Sequence, residues 1–288
     1  MKVAVVTDCN STFTQQTAKD FGVFCTDMPV IIDGENYVQG VNLTSDMFYD
    51  ALEKWKDVST SQPSPGSVID LWQSILDDGY DQIVYIPMSS GLSEACNTAR
   101  MLAEDFDGKV EVVDNHRISG TQSSSVVDAK AMAEAGHDAA YIRKRLEETA
   151  YDQSIYIAVD TLEYLKKGGR VTAAGAALGT ALGIKPILSI QGGKLDAFAK
   201  VRGMKKCEGK LIEAIRKDLN ERFKDVPVEK MYLFTAGTMQ SEEECKKWND
   251  LVRSEFPEYD SKYYPLSLSI GAHIGPGSIA IGIATIVE

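Results

Sequence analysis

The sequence IVYIPMSSGLSEACNTARMLAEDF, residues 83–106, decides the fold of this chain because it predicts one complete strand–turn–helix unit. Residues 83–88 are mostly apolar and predict a buried strand. The hydroxyl-rich turn SSGLS follows at residues 89–93. A single apolar stripe, typical of a helix packed on a core, then runs through Ala95, Ala99, Leu102 and Phe106.

The turn of this unit has features of an anion-binding site. A helix start presents unpaired N–H groups and partial positive charge. Ser93 lies where an N-cap residue is expected, and Gly91 lets the backbone approach a bound group. We therefore predict an anion site at the C-terminal end of a strand in an α/β sheet. A serine-capped helix without a ligand explains the same residues, and this stretch alone favours it because most capped helices bind nothing.

The composition argues against several classes of protein. The chain has 288 residues and a net charge of −12, which argues against a nucleic-acid partner and against docking to anionic lipid surfaces. Nothing in the sequence indicates a peripheral membrane contact. The three histidines are too far apart for a local metal motif, so no metal site is predicted. Scattered cysteines without a C-x-x-C pair are typical of reduced thiols in a cytoplasmic protein: Cys9, Cys25, Cys96, Cys207 and Cys245.

The pattern of elements predicts two domains, which also suits the length of the chain. Strands alternate with helices through the first half and predict parallel β-α-β units in a Rossmann-like sheet. The second half combines helices with a hairpin at residues 186–190 and 195–202 and predicts an α+β domain with a mixed sheet. The predicted fold class is α/β, with an N-terminal domain at residues 1–152 and a C-terminal domain at residues 153–288.

A set of polar residues could form one site: Thr60, Ser93, Arg170 and His273. Thr60 and its neighbour Ser61 lie in a loop of hydroxyls and prolines. Arg170 follows a glycine pair that ends a helix. His273 lies in a predicted glycine-rich turn at residues 271–277. Two hydroxyls, a guanidinium and an imidazole suit a carboxylate or a phosphate, but each residue also has a structural explanation and their spacing does not show that they converge.

A second interpretation is a serine hydrolase of acyl esters. Residues 91–95, GLSEA, approximate the G-x-S-x-G nucleophile elbow between a strand and a helix. Ser93, Asp160 and His273 follow in the chain order of an α/β-hydrolase triad. The chain lacks an H-G-G-G-type oxyanion segment, so we rank this interpretation second. A phosphosugar or nucleotide binder ranks third, because the glycines form neither a P-loop nor a clean G-x-G-x-x-G motif.

Short motifs spread over essentially the whole chain carry a family resemblance. They are VTDCNSTFT, TSQPSPG, SSGLS, LEYLKKGGR, IKPILS, KVRGMKK and GAHIGPG, at residues 6–14, 60–66, 89–93, 162–170, 184–189, 200–206 and 271–277. In this order and at this spacing they resemble the DegV family, whose members are also called FakB-type fatty-acid-binding proteins. Each motif is weak alone, but the ordered set is highly specific.

The resemblance implies a protein that is not itself an enzyme and that needs no cofactor. One long-chain fatty acid, such as palmitate, stearate or oleate, is expected in an internal apolar tunnel, with its carboxylate near the domain junction. The resemblance further implies a partner, an ATP-binding fatty acid kinase subunit that converts the presented carboxylate to an acyl phosphate for phospholipid metabolism.

The resemblance also implies site residues, because the family's motifs can be matched to positions of this sequence. Thr60 and Ser93 are expected to hold the carboxylate, with Arg170 and His273 as head-group neighbours. Ser61, Ser90 and Gly91 are expected around them, and Arg202 is a candidate for the partner or phosphoryl step. The small residues of 171–183 and the last strand are expected to line the tunnel.

Two positions depart from the family pattern. The first motif usually reads TDS, where this chain has Cys9, a much weaker hydrogen-bond donor than serine. The SSGLS motif is usually followed by glycine, where this chain has Glu94. A carboxylate in the first helical turn suits the helix dipole but would repel a bound anion. We therefore expect Glu94 to face solvent.

Overall fold

The fold is taken from a computed structural model that describes residues 1–179, 183–239 and 241–288. The strands are β1 (Val3–Asp8), β2 (Phe24–Thr26), β3 (Val30–Ile32), β4 (Glu35–Tyr37), β5 (Val58–Thr60), β6 (Gln82–Ile86), β7 (Val110–Val112), β8 (Gln153–Ala158), β9 (Ile184–Ile190), β10 (Asp196–Arg202), β11 (Met231–Gly237), β12 (Lys262–Pro265) and β13 (Ile279–Thr285). The helices are α1 (Gln15–Phe21), α2 (Ser45–Glu53), α3 (Pro65–Asp77), α4 (Ala95–Ala103), α5 (Ser119–Glu134), α6 (Ala139–Glu148), α7 (Glu163–Gly168), α8 (Ala173–Ala176), α9 (Met204–Glu221), α10 (Glu242–Glu255) and α11 (Leu268–Ile274).

The predicted α/β fold class is confirmed by the sheets. A parallel sheet in the order β2-β1-β6-β7 is formed by the first half of the chain. A separate mixed sheet in the order β10-β9-β8-β13-β11-β12 is formed by the second half, and it contains the predicted hairpin as the antiparallel pair β9 and β10. The division into domains at residue 152 stays a prediction.

A small antiparallel sheet in the order β4-β3-β5 completes the sheet structure of the described chain and positions one of the candidate residues. Thr60 is the last residue of β5 and pairs with Val30 of β3. Helix α11, from the far end of the sequence, packs against this sheet through Leu268 and Ala272. Residues 60 and 273 are therefore brought together by tertiary packing.

The structure changes three details of the deciding stretch and its surroundings. Strand β6 ends at Ile86 rather than at residue 88, since Pro87 lacks an N–H group for the sheet. Helix α4 begins at Ala95, with Glu94 rather than Ser93 in the N-cap position. Ser93 still serves this helix start, because its Oγ accepts a hydrogen bond from the Ala95 N–H at 3.2 Å.

The predicted glycine-rich turn around His273 is wrong, because His273 lies in the last turn of α11. Ser267 caps this helix by accepting a hydrogen bond from the Ile270 N–H at 3.2 Å. Gly271 fits inside the helix against the Phe48 ring, which would lie 3.1 Å from an added Cβ atom. The turn is confined to the residues after Ile274, where Gly275 has a φ of 73°.

The core between the sheets draws on both halves of the sequence. One apolar cluster joins Met88 and Ile118 of the first half to Ile157 and Phe234 of the second. None of the helices in the described ranges is long and apolar enough to cross a membrane. The same described residues contain no group of three or more side chains that could hold a metal ion.

Candidate functional site

A largely apolar cavity of about 90 Å³ lies in this shared core. The mixed sheet provides much of its wall, because alternate residues of a strand point to the same face. Ile155 and Ile157 of β8 are one such pair, and β13 adds Ala280. The other apolar residues of the wall are Met28, Met88, Leu92, Ile118, Leu165, Ile190, Leu195, Phe234, Leu266, Ile270 and Ile274.

Five of the predicted site residues lie together in the cavity wall, with Gln62 beside them. They are Thr60, Ser61, Ser93, Arg170 and His273, which the sequence separates by up to 213 positions. All are partly buried, so their side chains are available to the cavity without being fully hydrated. We call these six residues the polar end of the cavity. Gln62 was missed in the sequence, although it lies inside the TSQPSPG motif.

Thr60 and His273 form the one direct hydrogen bond between side chains of the polar end in the described structure. Thr60 Oγ1 lies 2.8 Å from His273 Nε2. The close packing of α7 against this ring requires Gly168, because an added Cβ atom there would lie 2.2 Å from His273 Nδ1. Burial, together with the nearby Arg170 cation, lowers the pKa of His273 to about 4. The imidazole is therefore neutral at neutral pH, and within the described residues its Nδ1 has no hydrogen-bond partner.

Arg170 supplies the positive charge of the polar end. It follows Gly169, whose left-handed φ of 69° ends α7. Its Nε donates to the Leu92 carbonyl at 3.2 Å, and its Nη1 donates to the Gly168 carbonyl. No carboxylate of the described chain lies within ion-pair distance of this guanidinium. An unneutralised cation at the end of an apolar cavity favours an anionic ligand.

Ser93 adds a second hydroxyl to the polar end. Its Oγ accepts from the Ala95 N–H, which leaves the hydroxyl proton free to donate to a ligand. The turn that carries Ser93 is held by Ser89, whose carbonyl accepts from the N–H groups of Leu92 and Ser93 at 3.0 and 3.2 Å. The buried Ser89 hydroxyl in turn donates to the Gly192 carbonyl of the β9–β10 turn.

Three other predicted site residues lie outside the cavity wall. Ser90 donates its N–H to Asp114 at 3.3 Å. Gly91 was expected to approach a ligand, but it packs against the backbone of the β9–β10 turn. An added Cβ atom would lie 2.7 Å from the Gly192 carbonyl oxygen. Arg202, at the end of β10, is exposed.

The described part of the small-residue stretch 171–183 does not contribute to the expected wall. Its residues 171–179 are absent from the cavity lining, and 180–182 lie outside the described residues. Gly175 instead packs against the Val171 side chain, which would lie 2.6 Å from an added Cβ atom. The last strand does reach the cavity, through Ala280.

The geometry does not assemble the hydrolase triad. Asp160 is exposed and forms an ion pair with Lys185. His273 Nε2 contacts Thr60 rather than Ser93, and its Nδ1 lacks the carboxylate partner that orients the histidine of a triad in the described structure.

The two departures from the family pattern lie outside the polar end. Glu94 is exposed and accepts a hydrogen bond from Asn97 Nδ2 at 2.9 Å, in agreement with the expected solvent-facing orientation. Cys9 is partly buried, and burial raises the pKa of its thiol to about 12. The thiol is therefore protonated at neutral pH.

Comparison with known proteins identifies the family. The family model described as "Uncharacterised protein, DegV family" matches residues 2–285. The chain belongs to the DegV family. DegV domain-containing proteins of Deinococcus radiodurans and Listeria innocua are each 30% identical to it, over 98% and 97% of both chains.

Solved structures of other DegV proteins share the fold. A DegV-family protein of Thermus thermophilus, whose structure is described by its fatty acid binding, matches with a TM-score of 0.88 and 26% identity over 99% of this chain and 100% of that one. DegV of Bacillus subtilis, described as a fatty acid binding protein, matches with a TM-score of 0.84 and 26% identity over 99% of each chain. These matches show that this chain has the fold of solved DegV proteins.

Proposed function

We propose that the protein binds one long-chain fatty acid, such as palmitate, stearate or oleate, with the acyl chain in the cavity and the carboxylate at the polar end. The observation that carries the proposal is an apolar cavity that ends at an unneutralised arginine, Arg170, with the hydroxyls of Thr60 and Ser93 beside it. The fatty acid binding described for the T. thermophilus and B. subtilis relatives supports the same ligand class.

The composition of the apolar wall is evidence that the ligand has an acyl chain. A saturated chain offers only apolar surface, and burying about a dozen methylenes at roughly 0.8 kcal/mol each supplies on the order of 10 kcal/mol before the costs of ordering. Isoleucine, leucine and methionine side chains dominate the wall and make no demand for hydrogen bonds. Met28 and Met88 can also adapt to the shape of different chains.

The residues of the polar end are evidence that the ligand has a carboxylate. A carboxylate taken out of water needs donors and a compensating charge. Ser93 has a free hydroxyl proton, and Arg170 keeps N–H groups beyond those bound to carbonyl oxygens. Because His273 is held neutral, its pair with Thr60 serves as a hydrogen-bonding unit, and Arg170 provides the charge.

The proposal includes a protein partner. By family resemblance, the protein presents the bound carboxylate to an ATP-binding fatty acid kinase subunit and performs no chemistry itself. The exposed position of Arg202 supports a role on the partner side, because the residue lies outside the cavity wall and is accessible.

Ligand binding is tested by native mass spectrometry of the purified protein and by titration of the delipidated protein with stearate. We expect a co-purified fatty acid and tight binding of added stearate. Combined Thr60→Ala and Ser93→Ala should weaken binding, whereas Ser59→Ala, an exposed neighbour on the opposite face of β5, should not. An empty protein that also refuses stearate, palmitate and oleate contradicts the proposal.

Presentation is tested by mixing the stearate-loaded protein with ATP and a bacterial ATP-binding fatty acid kinase subunit. Acyl phosphate should form only when both proteins are present. Arg202→Ala should reduce its formation while leaving the stearate affinity unchanged. Product formation with ATP alone, or labelling of Ser93 by a fluorophosphonate probe, would instead favour an enzymatic role for this chain.

A further inference from the structure

The cavity wall contains a polar side chain that the fatty acid proposal does not use. Ser119, the first residue of α5, lines the cavity and is 6% exposed. Its Oγ is buried and has no hydrogen-bond partner in the described residues. A buried hydroxyl without a partner is unfavourable, so native proteins usually satisfy such groups with protein atoms, water or a ligand.

Two other serines in the first half of α5 have the hydrogen-bond partner that Ser119 lacks. Ser124 donates to the Thr121 carbonyl at 2.7 Å, and Ser125 donates to the same carbonyl at 3.2 Å. Ser119 has a φ of 56°, which turns it out of the helical path. The next residue, Gly120, lies against the Phe234 ring, which would be 2.3 Å from an added Cβ atom. Gly120 therefore allows the start of α5 to pack closely against an aromatic residue of the cavity wall.

The start of α5 adds backbone donors at the same place. The helix is 16 residues long, and its N-cap residue, Ile118, provides no side-chain acceptor. The first N–H groups of a helix have no partner within the helix. Ile118 itself lines the cavity. A ligand group that both donates and accepts hydrogen bonds would suit Ser119 Oγ and this helix start together.

Two further polar residues line the cavity outside the polar end. Asn10 Oδ1 accepts from the Ser267 hydroxyl at 2.6 Å, and Asn10 Nδ2 donates to Met88 Sδ at 2.9 Å, which leaves one amide N–H unused. Ser269 is 5% exposed and also lines the cavity. Arg170 is the only lysine or arginine in the described cavity wall. The interior polar residues therefore favour a neutral group over a second carboxylate.

We infer that Ser119 is an interior subsite for a hydroxyl group carried on the acyl chain, so that the protein prefers a hydroxy fatty acid over the unsubstituted acid of the same length. The inference rests on the proposed function, because it assumes that the acyl chain fills the cavity. A methylene cannot satisfy the Ser119 hydroxyl, whereas a ligand hydroxyl can donate to it, accept from it, or do both.

The test compares stearate with a positional series of monohydroxystearates by competition for the delipidated protein. We expect at least one isomer to bind about 2- to 10-fold more tightly than stearate, the range of a net neutral hydrogen bond. Ser119→Ala should remove this preference while retaining stearate binding. Ser119→Gly should do the same and suits the positive φ, which guards against a folding defect. Ser123→Ala, buried on the same helix but outside the cavity wall, should keep the preference.

The outcomes separate this inference from the proposed function. If stearate binds and no isomer binds more tightly, the subsite inference is overturned and the Ser119 hydroxyl has no ligand partner. If the preference survives in both Ser119 variants, another residue recognises the hydroxyl and the inference is likewise overturned. Failure of stearate itself to bind overturns the proposed function as well.

Discussion

The polar end of the cavity and its apolar wall are built from different kinds of structure. The polar end uses loop residues and element ends: the end of β5 for Thr60, the turn before α4 for Ser93, and the residue after α7 for Arg170. The apolar wall draws on the interiors of strands such as β8 and β13. Under the proposed function, carboxylate binding depends on a few irregular positions and acyl-chain binding on regular ones, where most changes affect stability as well as binding.

The largest effect should come from the charge of the polar end. We expect Arg170→Ala to weaken stearate binding about 10- to 100-fold, because a hydrogen bond to a charged group contributes about 1.5–3 kcal/mol. Arg202→Ala, an exposed arginine outside the wall, is the matched control and should leave the affinity unchanged. Isothermal titration with delipidated protein measures both. Equal affinities of the two variants would show that the polar end does not bind the carboxylate through Arg170.

The next effect should come from the apolar wall. Ala280→Val places two extra carbon atoms in the cavity wall, so stearate should lose the room for about two methylenes and about 10-fold in affinity. Ala284→Val is the matched control, because Ala284 is a buried alanine on the same face of β13 but outside the wall. A shorter acid such as decanoate should lose less than stearate in the Ala280 variant. An equal loss for both acids would place the added carbons away from the acyl chain.

A smaller effect should come from the packing behind the polar end. Gly168→Ala puts a methyl group only 2.2 Å from His273 Nδ1. The imidazole must therefore move, and its hydrogen bond to Thr60 should be lost. We expect a few-fold weaker binding, in line with a neutral hydrogen bond of about 1 kcal/mol. Gly66→Ala, where an added Cβ atom meets open space in α3, is the control. Unchanged affinity in Gly168→Ala would separate His273 from ligand binding.

The contrast between the polar end and the apolar wall also explains which features could be predicted from the sequence. Alternating strands and helices, and the paired glycines between β9 and β10, are local patterns, and they predicted the sheet types correctly. Motif matching selected Thr60, Ser93 and Arg170, which the fold brings to one cavity. The glycines around His273 were misleading, because a helix capped by Ser267 can include Gly271 where it meets the Phe48 ring.

The apolar wall could not be predicted residue by residue. Ile157 and Phe234 belong to ordinary buried strands, and only the pairing of β8 and β11 with β13 shows which faces they share. The same holds for Ser119, since a serine at a helix start normally indicates a cap. The lack of a partner for its Oγ is visible only once the surrounding residues are positioned. Small-residue composition at 171–179 was no guide to the cavity, because small residues such as Gly175 also serve close packing.

The smallest effect should be a pH dependence of stability. Because burial and Arg170 lower the pKa of His273 to about 4, the folded protein keeps the ring neutral, whereas the unfolded chain binds a proton near the ordinary value of about 6.5. The unfolded state therefore gains protons that the folded state does not, and stability is lost as the pH falls from about 6.5 to about 4. Asp8 and Asp128 oppose this loss, because burial raises the pKa of their carboxyls to about 6 and about 7, and the folded state is protonated first.

A substitution separates the histidine from the two carboxyls. His273→Gln removes the histidine contribution, so its free energy of unfolding should fall less than that of the wild type between pH 6.5 and 4.5. His137→Gln replaces a histidine outside the cavity wall and is the control for the substitution itself. Urea unfolding across this pH range measures the difference. If His273→Gln instead fell as steeply as the wild type, the imidazole would be protonated as readily in the folded protein as in the unfolded chain.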